Sequence, residues 1–208
     1  MLAMKRHLLQ VSLFLTLLFC CCGSIMAASS HGILGLSAPE LGLKGWIGKD
    51  GGKRSDLKLS ALRGKIVVME FWQSWCPGCH SHGLPAMRKI SEAFRKDKRI
   101  KFLGVQTVFE GHRVNTRDKL RKIQLQHRLN IPMAHDPGTA ESGGRSVLMQ
   151  KYRSGGTPWM IIIDHRGKVV YNDYHIQADK GISLITKLLK DIPVTNIPAV
   201  VIKPVVTQ

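Results

Sequence analysis

Cysteine is scarce in this chain: five occur in 208 residues, and Cys20, Cys21 and Cys22 fall together inside an N-terminal apolar stretch. Without that stretch only Cys76 and Cys79 remain, so thiol chemistry is confined to one place. Acids are scarce too, 14 against 31 lysines and arginines, which gives a formal charge of +17. Such an excess favours anionic partners or membrane headgroups. However, Arg88, Lys89, Arg95, Lys96, Lys98, Arg99 and Lys101 are strung along one helix face and its exit, as on a solvated surface. No cluster interleaves aromatic with basic residues, which argues against nucleic acid as a partner. The absence of internal repeats leaves one non-repetitive domain.

The N-terminus bears on compartment. Lys5 and Arg6 precede the apolar run 8–22, which has the length of a signal-peptide core and is short for a spanning helix. Ala27 and Ala28 offer a small-residue cleavage site. Residues 1–28 are therefore read as a signal peptide or an N-terminal membrane anchor. The three cysteines also raise a lipid-modified terminus, against which stands the bulky Phe19 before Cys20. Each alternative puts the globular part in a periplasmic or other extracytoplasmic space, where reducing buffers do not hold thiols open. About 180 residues then remain, enough for one domain with its own core. The division is 29–37 as linker, 38–191 as the domain, and 192–208 as an extended tail rich in proline and valine.

Within the domain, 41–47 and 57–62 flank the turn Lys49-Asp50-Gly51-Gly52, a hairpin-like pattern. The β-rich run 65–72 predicts a buried strand carrying one carboxylate, Glu70. Met87, Ile90, Ala93 and Phe94 then recur at helical spacing and predict a helix over 77–96. Further strands are expected at 100–108, 131–135, 160–163 and 168–171, and helices at 116–129, 146–152 and 181–189. Strand and helix alternating, then a hairpin and a helix, make an α/β layer around a mixed sheet.

Two thiols separated by two residues close a disulfide only where the backbone curls. The start of a helix does this, and Pro77 suits its first position because no amide donor is missed there. Cys76 then sits where unpaired N–H groups and the positive end of the helix dipole stabilise a thiolate. That makes Cys76 the attacking sulfur.

Three stretches carry a family resemblance. They are Arg63-Gly64-Lys65, Phe71-Trp72-Gln73-Ser74-Trp75-Cys76-Pro77-Gly78-Cys79, and Gly156-Thr157-Pro158 leading into Ile161-Ile162-Ile163-Asp164-His165-Arg166-Gly167. Over 41–190 their order and spacing resemble the thioredoxin fold, and within it the extracytoplasmic TlpA or redoxin type. The resemblance implies a mixed β-sheet flanked by α-helices, with an N-terminal strand or hairpin extension. It also implies a thiol–disulfide oxidoreductase whose redox group is the Cys76–Cys79 pair, with no further cofactor and no metal. Partners would be exported proteins with thiols or disulfides, and a membrane electron donor or acceptor. The direction implied is reduction, as in cytochrome c maturation.

The same resemblance assigns roles. Pro158 would be cis beside the disulfide, leaving the Thr157 backbone free to pair with a partner chain. Glu70 matches the buried acid of thioredoxins; burial raises its pKa, which suits it to deprotonate Cys79. Trp75 would shield the sulfurs, with Pro77 and Gly78 beside it at the substrate surface, while Trp72 packs in the core or near the site. Two departures stand out. His82 replaces an acidic residue common in relatives, and His80 directly follows Cys79, where its charge would favour thiolate and a more oxidising pair. Pro85 comes six residues after Cys79, where thioredoxins have proline at five.

Two other chemistries compete. Cys76-Pro77-Gly78-Cys79-His80 satisfies the haem c attachment pattern, for which Met133, Met149 or Met160 would have to supply an axial ligand, and Cys76, Cys79, His80 and His82 could hold a metal. A strand before the motif, a helix after it and the Thr-Pro strand start downstream oppose haem, and ligands adjacent on one helix turn seldom close a tetrahedral metal site. A thiol peroxidase would need Thr-x-x-Cys; residue 73 is glutamine and Ser74 is one place too near.

Overall fold

The computed structural model describes residues 31–193. The signal or anchor assigned to 1–28, the first linker residues and the tail beyond 193 lie outside that range. Five strands, β1 (Ile66–Trp72), β2 (Ile100–Thr107), β3 (Met133–Asp136), β4 (Trp159–Ile163) and β5 (Val169–Tyr174), form one sheet in the order β3-β2-β1-β4-β5. β1 pairs in parallel with β2, and β2 with β3, whereas β4 runs antiparallel to both β1 and β5. This mixed sheet and its helices α1 (Leu84–Ala93), α2 (Lys119–Gln126), α3 (Val147–Tyr152) and α4 (Ala178–Lys190) make the thioredoxin fold.

All seven residues of β1 are buried, as expected for a central strand covered on both faces. Alternation splits them. Ile66, Val68 and Trp72 join the layer under α1, α2 and α4, with Leu84, Met87, Ile90, Leu120, Ile123 and Ile185. Val67, Met69 and Phe71 join the opposite layer, with Leu148, Met149 and Tyr152 of α3 and with Leu41 and Trp46. Since side chains two residues apart share a face, Glu70 is directed to the first layer, which also contains both cysteines.

The helix after the cysteines differs from the regular one expected over 77–96. Between Gly78 and Leu84 the chain makes a π-helical turn, Cys79–Gly83, closed by the Leu84 N–H donating to the Cys79 carbonyl five residues back. A π turn takes up one residue more than an α turn, which accounts for the late position of Pro85. That proline occupies the second place of α1.

The expected N-terminal hairpin is reduced to bridges. Ile47 pairs with Lys53 across the 48–52 turn and also with Met133 of β3, through N–H···O bonds of 2.9 and 3.0 Å in the two directions. The extension thereby covers the exposed edge of β3, where unpaired N–H and C=O groups would otherwise invite another chain. Among the described residues no helix is long and apolar enough to cross a membrane.

Candidate active site

β1 ends at Trp72, and the turn 73–75 delivers Cys76 to the start of the helix. Cys76 is 5% exposed and Cys79 fully buried, and the two are joined as a disulfide with Cα atoms 5.3 Å apart. The Cys79 amide nitrogen lies 3.1 Å from Cys76 Sγ. An N–H donor at that position lowers the cost of a thiolate on Cys76. Across from it, the Thr157 carbonyl oxygen is 3.5 Å from Cys76 Sγ, and the Thr157–Pro158 bond is cis. A side-chain carbon on Gly78 would lie only 3.3 Å from Pro158 Cδ. Cys76, Gly78, Thr157 and Pro158 are thus one cluster, while Pro77 lies exposed at its rim.

Glu70 lies beneath this cluster. It is fully buried, and neither carboxyl oxygen has a hydrogen-bond partner among the described residues. Burial alone raises its pKa from 4.5 to about 8, because a charge there would lack solvent and partner alike. Over it passes Gly83 of the π turn. A methyl at Gly83 would lie 2.5 Å from Pro158 Cβ and nearer still to a Glu70 oxygen. Gly83 therefore allows the helix, the acid and the cis-proline to meet. The sequence reading passed over it, although a lone glycine inside a helical pattern often has a packing reason.

The 73–75 turn is held by a polar network that the sequence reading also missed. Buried Asn115 accepts from the Ser74 amide at 2.7 Å and donates through Nδ2 to Gln73 Oε1 at 2.8 Å. Gln106 Nε2 donates to the Ser74 hydroxyl, and Gln106 Oε1 is 2.8 Å from His135 Nδ1. One signal was present: Gln106 interrupts an apolar strand, and register places it beside Trp72. The Ser74 hydroxyl is within reach of Val114 O and Asn115 Oδ1.

Trp75 is 44% exposed, with its indole N–H donating to Gln73 Oε1 and its ring against Gly111. Trp72 is fully buried in the layer that holds the sulfurs. His80 is tied at both ring nitrogens: Nε2 is 2.8 Å from the Ser74 carbonyl and Nδ1 2.8 Å from His127 Nε2. A carbonyl only accepts, so His80 Nε2 carries the hydrogen; in the neutral ring Nδ1 then accepts from His127. Burial, His80 and Arg88 all lower the His127 pKa. His82 is exposed, bonds Ser81 and lies near His175. Among the described residues no three His, Cys, Asp or Glu side chains converge as metal ligands.

A disulfide at a helix start, beside a cis-proline and above a buried acid on a five-stranded mixed sheet, defines a thioredoxin-like protein of the TlpA or redoxin type. The AhpC/TSA family model matches residues 34–172, and the chain belongs to that family. It is 30% identical over 119 residues to "Thiol-disulfide oxidoreductase ResA" of Bacillus cereus, covering 57% of this chain and 59% of the relative. It is 38% identical over 164 residues to "Protein DipZ" of Mycobacterium tuberculosis, covering 74% of this chain but 21% of that protein. The chain thus spans less than two thirds of these relatives' lengths. Among solved structures, a thioredoxin-like superfamily protein matches with TM-score 0.65 and 32% identity over 76% of this chain and 99% of the other. A thiol-disulfide isomerase from Corynebacterium glutamicum matches with TM-score 0.61 and 30% identity over 74% and 96%.

Two outcomes are expected from the Glu70 site. Between the ordinary carboxyl pKa and about 8 the folded protein holds a proton that the unfolded chain releases, so this group's contribution to stability is present in acid and falls as pH rises. Glu70→Gln removes the loss: urea denaturation should show variant and wild type alike near about pH 4, and the variant ahead by on the order of 4 kcal/mol above about pH 8. A difference that does not grow with pH would contradict the assignment. Gly83→Ala should cost about 2 kcal/mol in the same assay, since both Glu70 and Pro158 must give way. Unchanged stability would show the contact to be slack.

Proposed function

We propose that the protein is an extracytoplasmic thiol–disulfide oxidoreductase that exchanges disulfides with exported proteins and works as a reductase. The observation that carries this reading is the buried Glu70 carboxyl beneath Gly83, in the layer of Cys79 and against the cis-proline. Its raised pKa of about 8 lies close to the ~8.5 of a free thiol, so proton transfer between Cys79 and Glu70 is nearly balanced in energy. The names of the relatives, a thiol-disulfide oxidoreductase and a thiol-disulfide isomerase, support the same class.

In the reduced protein the Cys76 thiolate attacks one sulfur of a client disulfide. A Cys76–client bond forms, and the first client sulfur leaves as a thiolate that takes a proton from solvent. Glu70 in its ionised form, about a tenth of the population at pH 7 for a pKa near 8, takes the Cys79 proton. The Cys79 thiolate then attacks Cys76 Sγ, the second client thiolate leaves, and the Cys76–Cys79 disulfide remains. Two electrons pass to the client. Thr157 holds the client backbone next to Cys76, and Trp75, Pro77 and Gly78 form the contact surface around it. His80 acts on the site through the Ser74 carbonyl, with His82 at the exposed edge.

The pair serves as the redox group without a bound cofactor or metal, and a membrane electron donor restores the dithiol. Exported proteins whose cysteines must be opened, including those awaiting haem attachment, are the client class. Residues 1–28 direct the protein out of the cytoplasm, by signal peptide or membrane anchor. Expressed in the exporting cell, Cys79→Ala should trap clients as mixed disulfides through Cys76, while Cys76→Ala should trap almost none on a non-reducing gel. Equal trapping by both would contradict the order of attack.

A further inference from the structure

A pocket of about 320 Å³ lies beside the disulfide, walled by Trp75, His80, Val114, Lys119, Lys122 and Ile123. Two of the wall residues adjoin the cysteines in the chain, Trp75 before Cys76 and His80 after Cys79. The apolar part is open to solvent, with Trp75 44% and Val114 48% exposed. No ion pair among the described residues holds the lysines of its cationic part. Among the described residues the ion pairs are Arg88–Glu92, Arg99–Asp97 and Arg166–Asp164, and neither Lys119 nor Lys122 takes part in one. The nearest carboxyl in the chain, Asp118, is engaged by the Thr116 hydroxyl, which lowers its pKa ahead of the smaller effect of Lys119.

Topology sets the direction of approach. β1 has β4 on one side and β2 on the other. Thr157, just before β4, meets Cys76 from the first side, whereas α2, which connects β2 to β3, builds the pocket on the second. A polypeptide joined to Cys76 and held at Thr157 therefore has a second, cationic and aromatic contact across the sulfur.

We infer that this pocket is a recognition site for an acidic segment of the client, placed next to its reactive cysteine. The inference rests on the oxidoreductase reading. Charge complementarity to Lys119 and Lys122 selects the carboxylates, and Trp75 and Val114 receive the aliphatic stems. The wall is made before the client arrives, since the Trp75 ring is already fixed by Gln73 and Gly111. Opposite charges across such a contact chiefly speed encounter and set partner preference, and salt weakens them.

The test uses the full, prereduced protein and follows single-turnover reduction of three disulfides: a peptide with two glutamates beside its cysteine, the same peptide with glutamines, and glutathione disulfide. At low salt the wild type should reduce the glutamate peptide about fivefold to tenfold faster than the glutamine peptide. That ratio should fall to about one in Lys119→Gln/Lys122→Gln and return in Lys119→Arg/Lys122→Arg. It should persist in Lys187→Gln/Lys190→Gln, which removes the same charge from the end of α4. A ratio unchanged by the first variant, or lost equally in the α4 variant, would overturn the site in favour of overall charge. Glutathione disulfide depending on the two lysines as strongly as the peptide would make the occupant a small anion and overturn the client assignment. Failure to reduce any of the three would overturn the oxidoreductase reading along with it, whereas lost preference with exchange intact overturns the pocket alone.

Discussion

The site depends on one costly placement: an acid with both oxygens sealed from solvent in the central strand of the sheet. Glu70 could be exchanged for an apolar residue with a gain in stability, as burial without a partner is among the more expensive things a fold can do to a carboxyl group. Its surroundings are shaped to it. Gly83 omits a side chain that would collide with it, Pro158 closes the space above, and the π turn lets the helix pass over both. The result is a proton-holding group whose affinity approaches that of the thiol it is proposed to serve.

A second constraint acts on the sulfurs through the backbone. The 73–75 turn has no regular structure of its own, and its geometry comes from Asn115, Gln106 and His80, each reaching it from a different element. His80 therefore affects the site differently from a bare positive charge next to Cys79. Its Nε2–H is spent on the Ser74 carbonyl, and His127 holds the other nitrogen, so the imidazole braces the turn that presents Cys76. This weakens the argument that His80 drives the pair toward oxidation. Along the surface, much of the basic excess is the solvated face of α1 and its exit, while Lys119 and Lys122 are set apart by standing in a pocket at the disulfide.

Much of the architecture was legible in the chain. The run 65–72 is apolar on both alternating faces, which only a covered central strand satisfies, and the single acid within it had to be buried. Cys76, Cys79 and Pro158 were found because local chemistry and a family pattern point to them without knowledge of contacts. What stayed hidden depends on long-range geometry. Nothing local announces that His127, 47 residues away, would bond His80, or that Asn115 would anchor Ser74 from 41 residues on. Pro85 signalled an irregularity, but its resolution as a π turn needed the hydrogen bond from Leu84 to Cys79. The 41–62 region carried a turn signal and the residues of a hairpin, yet its backbone is used to cap β3, a choice made by the sheet edge and not by the segment.

The direction of electron flow follows from how far the fold favours the thiolate form over the disulfide. A single amide N–H aimed at Cys76 Sγ, a His80 occupied by Ser74 and His127, and a buried Glu70 form a modest set of stabilising contacts, and the reductase role proposed above draws on them. The most direct measurement is the equilibrium reduction potential of the Cys76–Cys79 pair against glutathione. The account predicts a value near about −270 mV, that of thioredoxin, and a value near about −120 mV, that of a strong disulfide donor, would contradict it.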